Sequence, residues 1–251
     1  MSRLQPDSPV ASKVFPSPNH GERRDNRKPD MLVLHYTGMP TASEALQRLC
    51  NPVAEVSAHY FIFEDGRILQ LVPEARRAWH AGVSCWAGEE DINSCSIGIE
   101  IANPGHEIAL QPFPVEQIDA TIALCKDIIS RWPIKSQRIL AHSDIAPGRK
   151  ADPGELFPWR KLHREGIGHW VPPASNDHGH VFCRGDQGRP VEALQAMLAF
   201  YGYGIEIDGE FGEQTEAVVT AFQRHFRPAH IDGVADFSTI TTLRNLINAL
   251  H

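Results

Sequence analysis

Three potential metal ligands, His35, His142 and Asp152, constrain this chain more than any other feature, because its fold must gather them from two distant segments. Met31-Leu32-Val33-Leu34 is a short apolar run suited to a buried strand, so His35 emerges at its end. Arg138-Ile139-Leu140-Ala141 delivers His142 in the same way. Asp152 follows His142 by ten residues, through a segment punctuated by Pro147, Gly148, Pro153 and Gly154, which reads as a loop able to fold back. Such a set describes an open site. Structural zinc closes its tetrahedron with four protein ligands, whereas catalytic zinc keeps a position for water. Two neutral imidazoles and one carboxylate leave the ion net positive, able to acidify water and polarise a carbonyl. A single histidine at a strand end is more often a satisfied structural residue, and spacing alone does not decide between these readings.

Further segments carry a resemblance across residues 17–160. They are Ser17-Pro18-Asn19, Leu34-His35-Tyr36-Thr37, Val56-Ser57-Ala58-His59-Tyr60, Asp65-Gly66 and Arg77-Ala78-Trp79-His80-Ala81-Gly82. Asn93, Ser96-Ile97-Gly98-Ile99-Glu100 and the run Ala141 to Gly154 complete the series in order. The chain resembles the zinc-dependent N-acetylmuramoyl-L-alanine amidases of the AmpD and AmiD type, which share a fold with peptidoglycan recognition proteins. The resemblance implies Zn2+ on His35, His142 and Asp152, a catalytic carboxylate at Glu100 and transition-state assistance from Lys150. These roles make chemical sense, since one carboxylate can take a proton from water and return it to the departing amine. A lysine ammonium can stabilise the oxyanion formed on the scissile carbonyl. Without the resemblance, Glu100 and Lys150 read as ordinary solvated residues. Phage and animal relatives often carry Tyr before the His at the position of His59; Ala58 stands here, and Glu100 substitutes for that phenol. Arg77 is a candidate for gripping a stem-peptide carboxylate through its fork of donors, Trp79 and His80 line the cleft wall, and Asn93 completes the substrate-binding set. His59 is expected as a buried polar residue beside the site, and Tyr36 receives no catalytic role.

The expected fold class is α/β, a mixed central sheet flanked by helices, one of them at 114–132, followed by a small three-helix domain. At 251 residues with 42% hydrophobic content the chain can bury a sizeable core. Residues 1–172 form the expected catalytic domain, residues 1–30 within it reading as an extended, proline-rich arm. Residues 173–180 have linker composition. Residues 181–251 show helical periodicity at 190–202, 213–226 and 236–249, with two Asp-Gly turns at 208–209 and 232–233 forming a weak internal repeat. Val191-Glu192-Ala193-Leu194-Gln195, Ile207-Asp208-Gly209-Glu210-Phe211-Gly212 and Ala221-Phe222-Gln223 in this tail resemble the peptidoglycan-binding domain type 1. If the tail is a separate module, a chain ending near Pro173 folds and cleaves soluble substrate alone.

A net charge of −7 argues against a nucleic-acid partner, and no apolar run is long enough to span a bilayer. Peptidoglycan or its muropeptides are the expected partners; oligomeric state is left open. The five cysteines include no C-x-x-C pair, reduced thiols are the default, and a Cys85–Cys95 bridge is conceivable. The first thirty residues lack the apolar core of a signal peptide. That favours the cytoplasm, whereas a wall-binding module favours the envelope, the preferred expectation. Hydrolysis of the bond between N-acetylmuramic acid and L-alanine is the leading activity. A noncatalytic peptidoglycan recognition protein and a zinc peptidoglycan endopeptidase are the alternatives; the first typically lacks a ligand that this chain keeps, and only product identity separates the second.

Overall fold

A computed structural model describes residues 5–175 and 181–250; the second half of the expected linker lies outside the described residues. The strands are β1 (Lys13–Val14), β2 (His20–Glu22), β3 (Met31–Tyr36), β4 (Tyr60–Ile62), β5 (Ile68–Gln70), β6 (Arg76–Ala78), β7 (Ser96–Ile101) and β8 (Ile139–Ala141). The α-helices are α1 (Ala42–Leu49), α2 (Ile92–Cys95), α3 (Val115–Arg131), α4 (His142–Ile145), α5 (Trp159–Arg164), α6 (Arg189–Tyr201), α7 (Glu213–Phe226) and α8 (Phe237–Asn248). The main sheet runs β1-β5-β4-β7-β3-β8, and β2 with β6 forms a second, two-stranded sheet.

β3 is parallel to both β7 and β8, and β4 is parallel to β7. Its sequence MLVLHY is buried through the first five positions, the continuous apolar run that a central parallel strand needs when both faces are covered. On one face, α3 lays Ile118, Ile122, Cys125 and Ile128 against Leu32, Leu34, Ile97 and Ile99. The helical spacing of these four residues gives α3 its apolar stripe. The opposite face presents Met31, Val33 and Leu140 to a cluster that continues through Trp86 into the C-terminal helices. The catalytic unit and the tail therefore share one core. Linker composition at 173–180 says nothing about the surfaces on either side, and here those surfaces are packed together.

The N-terminal arm joins both sheets, with β1 pairing β5 as the edge of the main sheet and β2 pairing β6. Within the tail the expected repeat is realised in side-chain bonding. Gln195 accepts from Gly209 N at 2.8 Å and donates to Asp208 Oδ1 at 2.7 Å. Gln223 does the same to Gly233 N and Asp232 Oδ1, both at 2.9 Å. Each Asp-Gly turn is thus held by a buried glutamine of the helix before it. Cys85 and Cys95 are separate free thiols. No helix among the described residues is long and apolar enough to cross a membrane.

Candidate metal centre

Parallel strands put their carboxyl ends on one edge of the sheet, the edge where open α/β sheets bind ligands. β3 ends there with His35 and Tyr36, and β7 ends there with Glu100 and Ile101, His35 and Glu100 being register partners. β8 ends beside them and turns directly into α4, whose first residue is His142. Ser143 N donates to Asp152 O at 3.0 Å, returning the loop to the strand end. The three expected ligands meet, all buried. His35 Nδ1 lies 2.9 Å from His142 Nδ1 and 3.1 Å from Asp152 Oδ2; His142 Nδ1 is 3.0 Å from the same oxygen.

The surrounding hydrogen bonds assign the protons. Ser96 Oγ donates to Ile92 O at 2.6 Å, so it accepts from His80 Nε2 at 3.0 Å. His80 Nδ1 is then an acceptor and takes the proton of His35 Nε2, 3.0 Å away. His142 Nε2 donates to Ala81 O at 3.0 Å. Both Nδ1 atoms are left as bare lone pairs, and each faces the other and a carboxylate oxygen. Three acceptors at such separations repel one another unless a cation sits among them. Donor-to-donor distances in a tetrahedral zinc site with bonds of about 2.0–2.1 Å are about 3.3 Å, close to the three observed. The donor set fits a metal ion.

Electrostatics agree with that assignment. Burial, with His142 nearby, lowers the His35 pKa to about 4, keeping the ring neutral. For Glu100, burial raises the pKa well above normal; Asp152 adds to this and Lys150 opposes it. Its Oε2 is buried and has no hydrogen-bond partner among the described residues.

These groups form one side of a cleft of about 610 Å³, whose walls include Trp79, His80, Glu100, Lys150 and Tyr36. Two expected substrate contacts stand elsewhere. Arg77 donates from Nη2 to Asp91 Oδ1 at 2.7 Å and from Nε to Ser94 Oγ at 3.1 Å, and it is not among the residues lining the cleft. Asn93 is buried behind the wall, where its Oδ1 accepts from His80 N at 3.0 Å and Ala81 N at 2.9 Å. It fixes the segment that presents both His80 and the Ala81 carbonyl. His80 itself orients His35 as well as lining the cleft. Gly98 makes room for it: a Cβ there would lie 2.5 Å from His80 Cγ.

Sequence reasoning passed over two features of the wall. Arg149 Nη2 donates to Ala81 O at 2.6 Å and Val83 O at 2.7 Å, bracing the same segment from the opposite side. Tyr36 Oη meets His106 Nδ1 at 3.0 Å, and His106 Nε2 meets Glu155 at 2.9 Å. Arg149 lies inside the 141–154 run and could have been suspected there; nothing local ties His106 to Tyr36.

A cleft floored by a His-His-Asp metal site, on a mixed sheet with a helical tail, defines the class as a metal-site amidohydrolase. A model of the N-acetylmuramoyl-L-alanine amidase family matches residues 25–155, and one described as a putative peptidoglycan binding domain matches residues 187–243. The chain is 43% identical over 223 residues to N-acetylmuramoyl-L-alanine amidase AmiD of Escherichia coli (strain K12), covering 83% of this chain and 79% of AmiD. The structure of E. coli AmiD in complex with anhydro-N-acetylmuramic acid-L-Ala-D-gamma-Glu-L-Lys matches with a TM-score of 0.77 at 38% identity, over 88% of this chain and 90% of that one. AmpDh3 from Pseudomonas aeruginosa, in complex with anhydromuramic pentapeptide, matches with a TM-score of 0.78 at 31% identity, over 99% of each chain. The chain belongs to the N-acetylmuramoyl-L-alanine amidase family and is an enzyme of that activity.

Proposed function

We propose that His35, His142 and Asp152 bind Zn2+ and that this amidase acts on anhydromuramyl peptides and on peptidoglycan itself. The observation that carries the reading is the triangle of lone-pair donors, with sides of 2.9–3.1 Å, beside Glu100, whose buried Oε2 has no hydrogen-bond partner among the described residues. When bound, zinc supplies Lewis acidity toward the scissile carbonyl and makes the attacking water a stronger acid. Glu100 takes the proton of that water and returns it to the nitrogen of the departing L-alanine; burial, which raises its affinity for a proton, suits both halves of the cycle. The Lys150 ammonium, exposed on the cleft wall, faces the negative charge that develops on the carbonyl oxygen. His80 holds the His35 ring, and the Ala81 carbonyl holds the His142 ring. Trp79 offers an apolar surface to the sugar or lactyl group.

In this reading residues 1–172 form the catalytic unit and residues 181–251 the peptidoglycan-binding unit. The relatives whose structures are complexes with anhydromuramyl peptides support that substrate class. Mass spectrometry of the products from anhydromuramyl-tripeptide and from sacculi tests it. Release of intact stem peptide with a free L-alanine amine is expected. Cleavage within the stem would establish an endopeptidase instead.

A further inference from the structure

We propose that the C-terminal helical unit is a positioning element of the metal centre, with Tyr203 and His225 holding the turn that carries His142. The proposal rests on His142 being a metal ligand. Two lines of contact run from the tail to that one imidazole, one from each side.

The first passes through Asp144, two residues beyond His142 in α4 and 0% exposed. Its Oδ2 accepts from Ala141 N at 2.8 Å, bridging the strand-to-helix turn that aims the His142 ring. The same oxygen accepts from His225 Nδ1 of α7 at 2.6 Å, and Oδ1 accepts from Tyr203 Oη at 2.9 Å. His225 is stacked on Trp159 at a centroid distance of 3.8 Å, so its ring cannot turn away without leaving that stack. Two of the three groups that bond this buried carboxylate therefore belong to the tail.

The second line passes through Trp86. Its ring packs against Tyr203 at 4.9 Å and Tyr201 at 6.0 Å, and Ala87 N donates to Gly202 O at 2.7 Å. Cys85 N donates to Ile145 O at 2.8 Å, fastening this segment to the end of α4. The segment begins at Ala81, whose carbonyl accepts from His142 Nε2 and fixes which nitrogen faces the metal. Tail residues thus set the backbone beneath His142 and the segment that supplies its hydrogen-bond acceptor. Groups that orient a ligand from outside the coordination sphere typically change metal affinity 10- to 100-fold when removed.

The test uses the full chain. Tyr203→Phe deletes one hydroxyl and keeps the ring against Trp86; His225→Leu removes the Nδ1 donor. His225→Asn places an amide nitrogen where Nδ1 lay. Zinc affinity is measured by competition with a chromophoric chelator, and the visible absorption of the Co2+-loaded protein reports ligand geometry. Tyr203→Phe and His225→Leu are expected to weaken zinc binding about 10- to 100-fold and to alter the Co2+ bands, and His225→Asn to restore both. A tail that only adds stability would lower Tm while leaving affinity and spectrum unchanged below the transition, and that result overturns the proposal. If His225→Leu does not fold, Tyr203→Phe decides alone by the same readouts. His142→Ala run in parallel separates the two failures. Zinc retained there defeats the ligand reading itself; zinc lost there, with wild-type behaviour in both tail variants, defeats only the positioning role.

Discussion

Glu100 is a side chain on which turnover should depend without the metal depending on it. Its Oε2 is buried and has no partner among the described residues, whereas each proposed ligand is locked into its neighbours. Glu100→Gln keeps the shape and loses the proton-carrying group, so zinc content should stay near wild type while kcat falls at least about 10²-fold. Near-normal turnover by Glu100→Gln would assign the proton transfers to another group. His59 gives a separate prediction in pH. Its Nδ1 accepts from Gly98 N and its Nε2 donates to Arg76 O, both at 3.0 Å, and burial together with the Arg23 guanidinium lowers its pKa from 6.5 to about 3. The unfolded chain binds this proton near pH 6.5 and the folded chain does not until about pH 3. Native His59 thus holds fewer protons across that window, and its contribution to stability is lost as pH falls through it. Nitrogen chemical shifts should report a neutral imidazole at pH 5; a protonated His59 in the folded protein at that pH would contradict the assigned hydrogen bonds.

The elements that carry the ligands were readable because each is local. The run at 31–34 is apolar at every position, which marks a doubly covered strand, and β3 follows it into His35. Helices expected at 114–132, 190–202, 213–226 and 236–249 form at Val115–Arg131, Arg189–Tyr201, Glu213–Phe226 and Phe237–Asn248. What the sequence hid is what lies between elements. Arg77 looked like a free fork for substrate, but Asp91 occupies it from a turn fourteen residues on; Asn93 looked like a cleft residue and instead braces the His80–Ala81 backbone. No periodicity encodes either pairing. The glycine of Ser96-Ile97-Gly98-Ile99 has a comparable hidden reason, because the His80 ring occupies the space that a side chain would need. Gly98→Ala should displace that ring, weaken zinc binding and slow turnover together, roughly on the 10- to 100-fold scale of a lost ligand-orienting contact. Chelator competition checks this, and unchanged affinity would remove His80 from the support of His35.

For the molecule as a whole, the shared core decides whether catalysis and wall binding can be taken apart. Removing residues after Pro173 uncovers Trp86 and Trp159, now 2% and 4% exposed, and strips Asp144 of its partners from Tyr203 and His225. Each large apolar side chain uncovered forfeits roughly 1.5–3 kcal/mol, and a lost hydrogen bond to a charged group roughly 1.5–3 kcal/mol more. Domains of this kind have only about 5–15 kcal/mol in hand. A chain ending at Pro173 should therefore be poorly soluble or show a much lower Tm in thermal melts; wild-type stability would mean that the tail is as separable as its linker composition suggests. Elemental analysis of the purified wild type beside His35→Ala, His142→Ala and Asp152→Ala asks whether these three residues hold the metal. About one zinc per wild-type chain and almost none in each folded variant is the predicted result. Full zinc occupancy in any one of the three variants would contradict it.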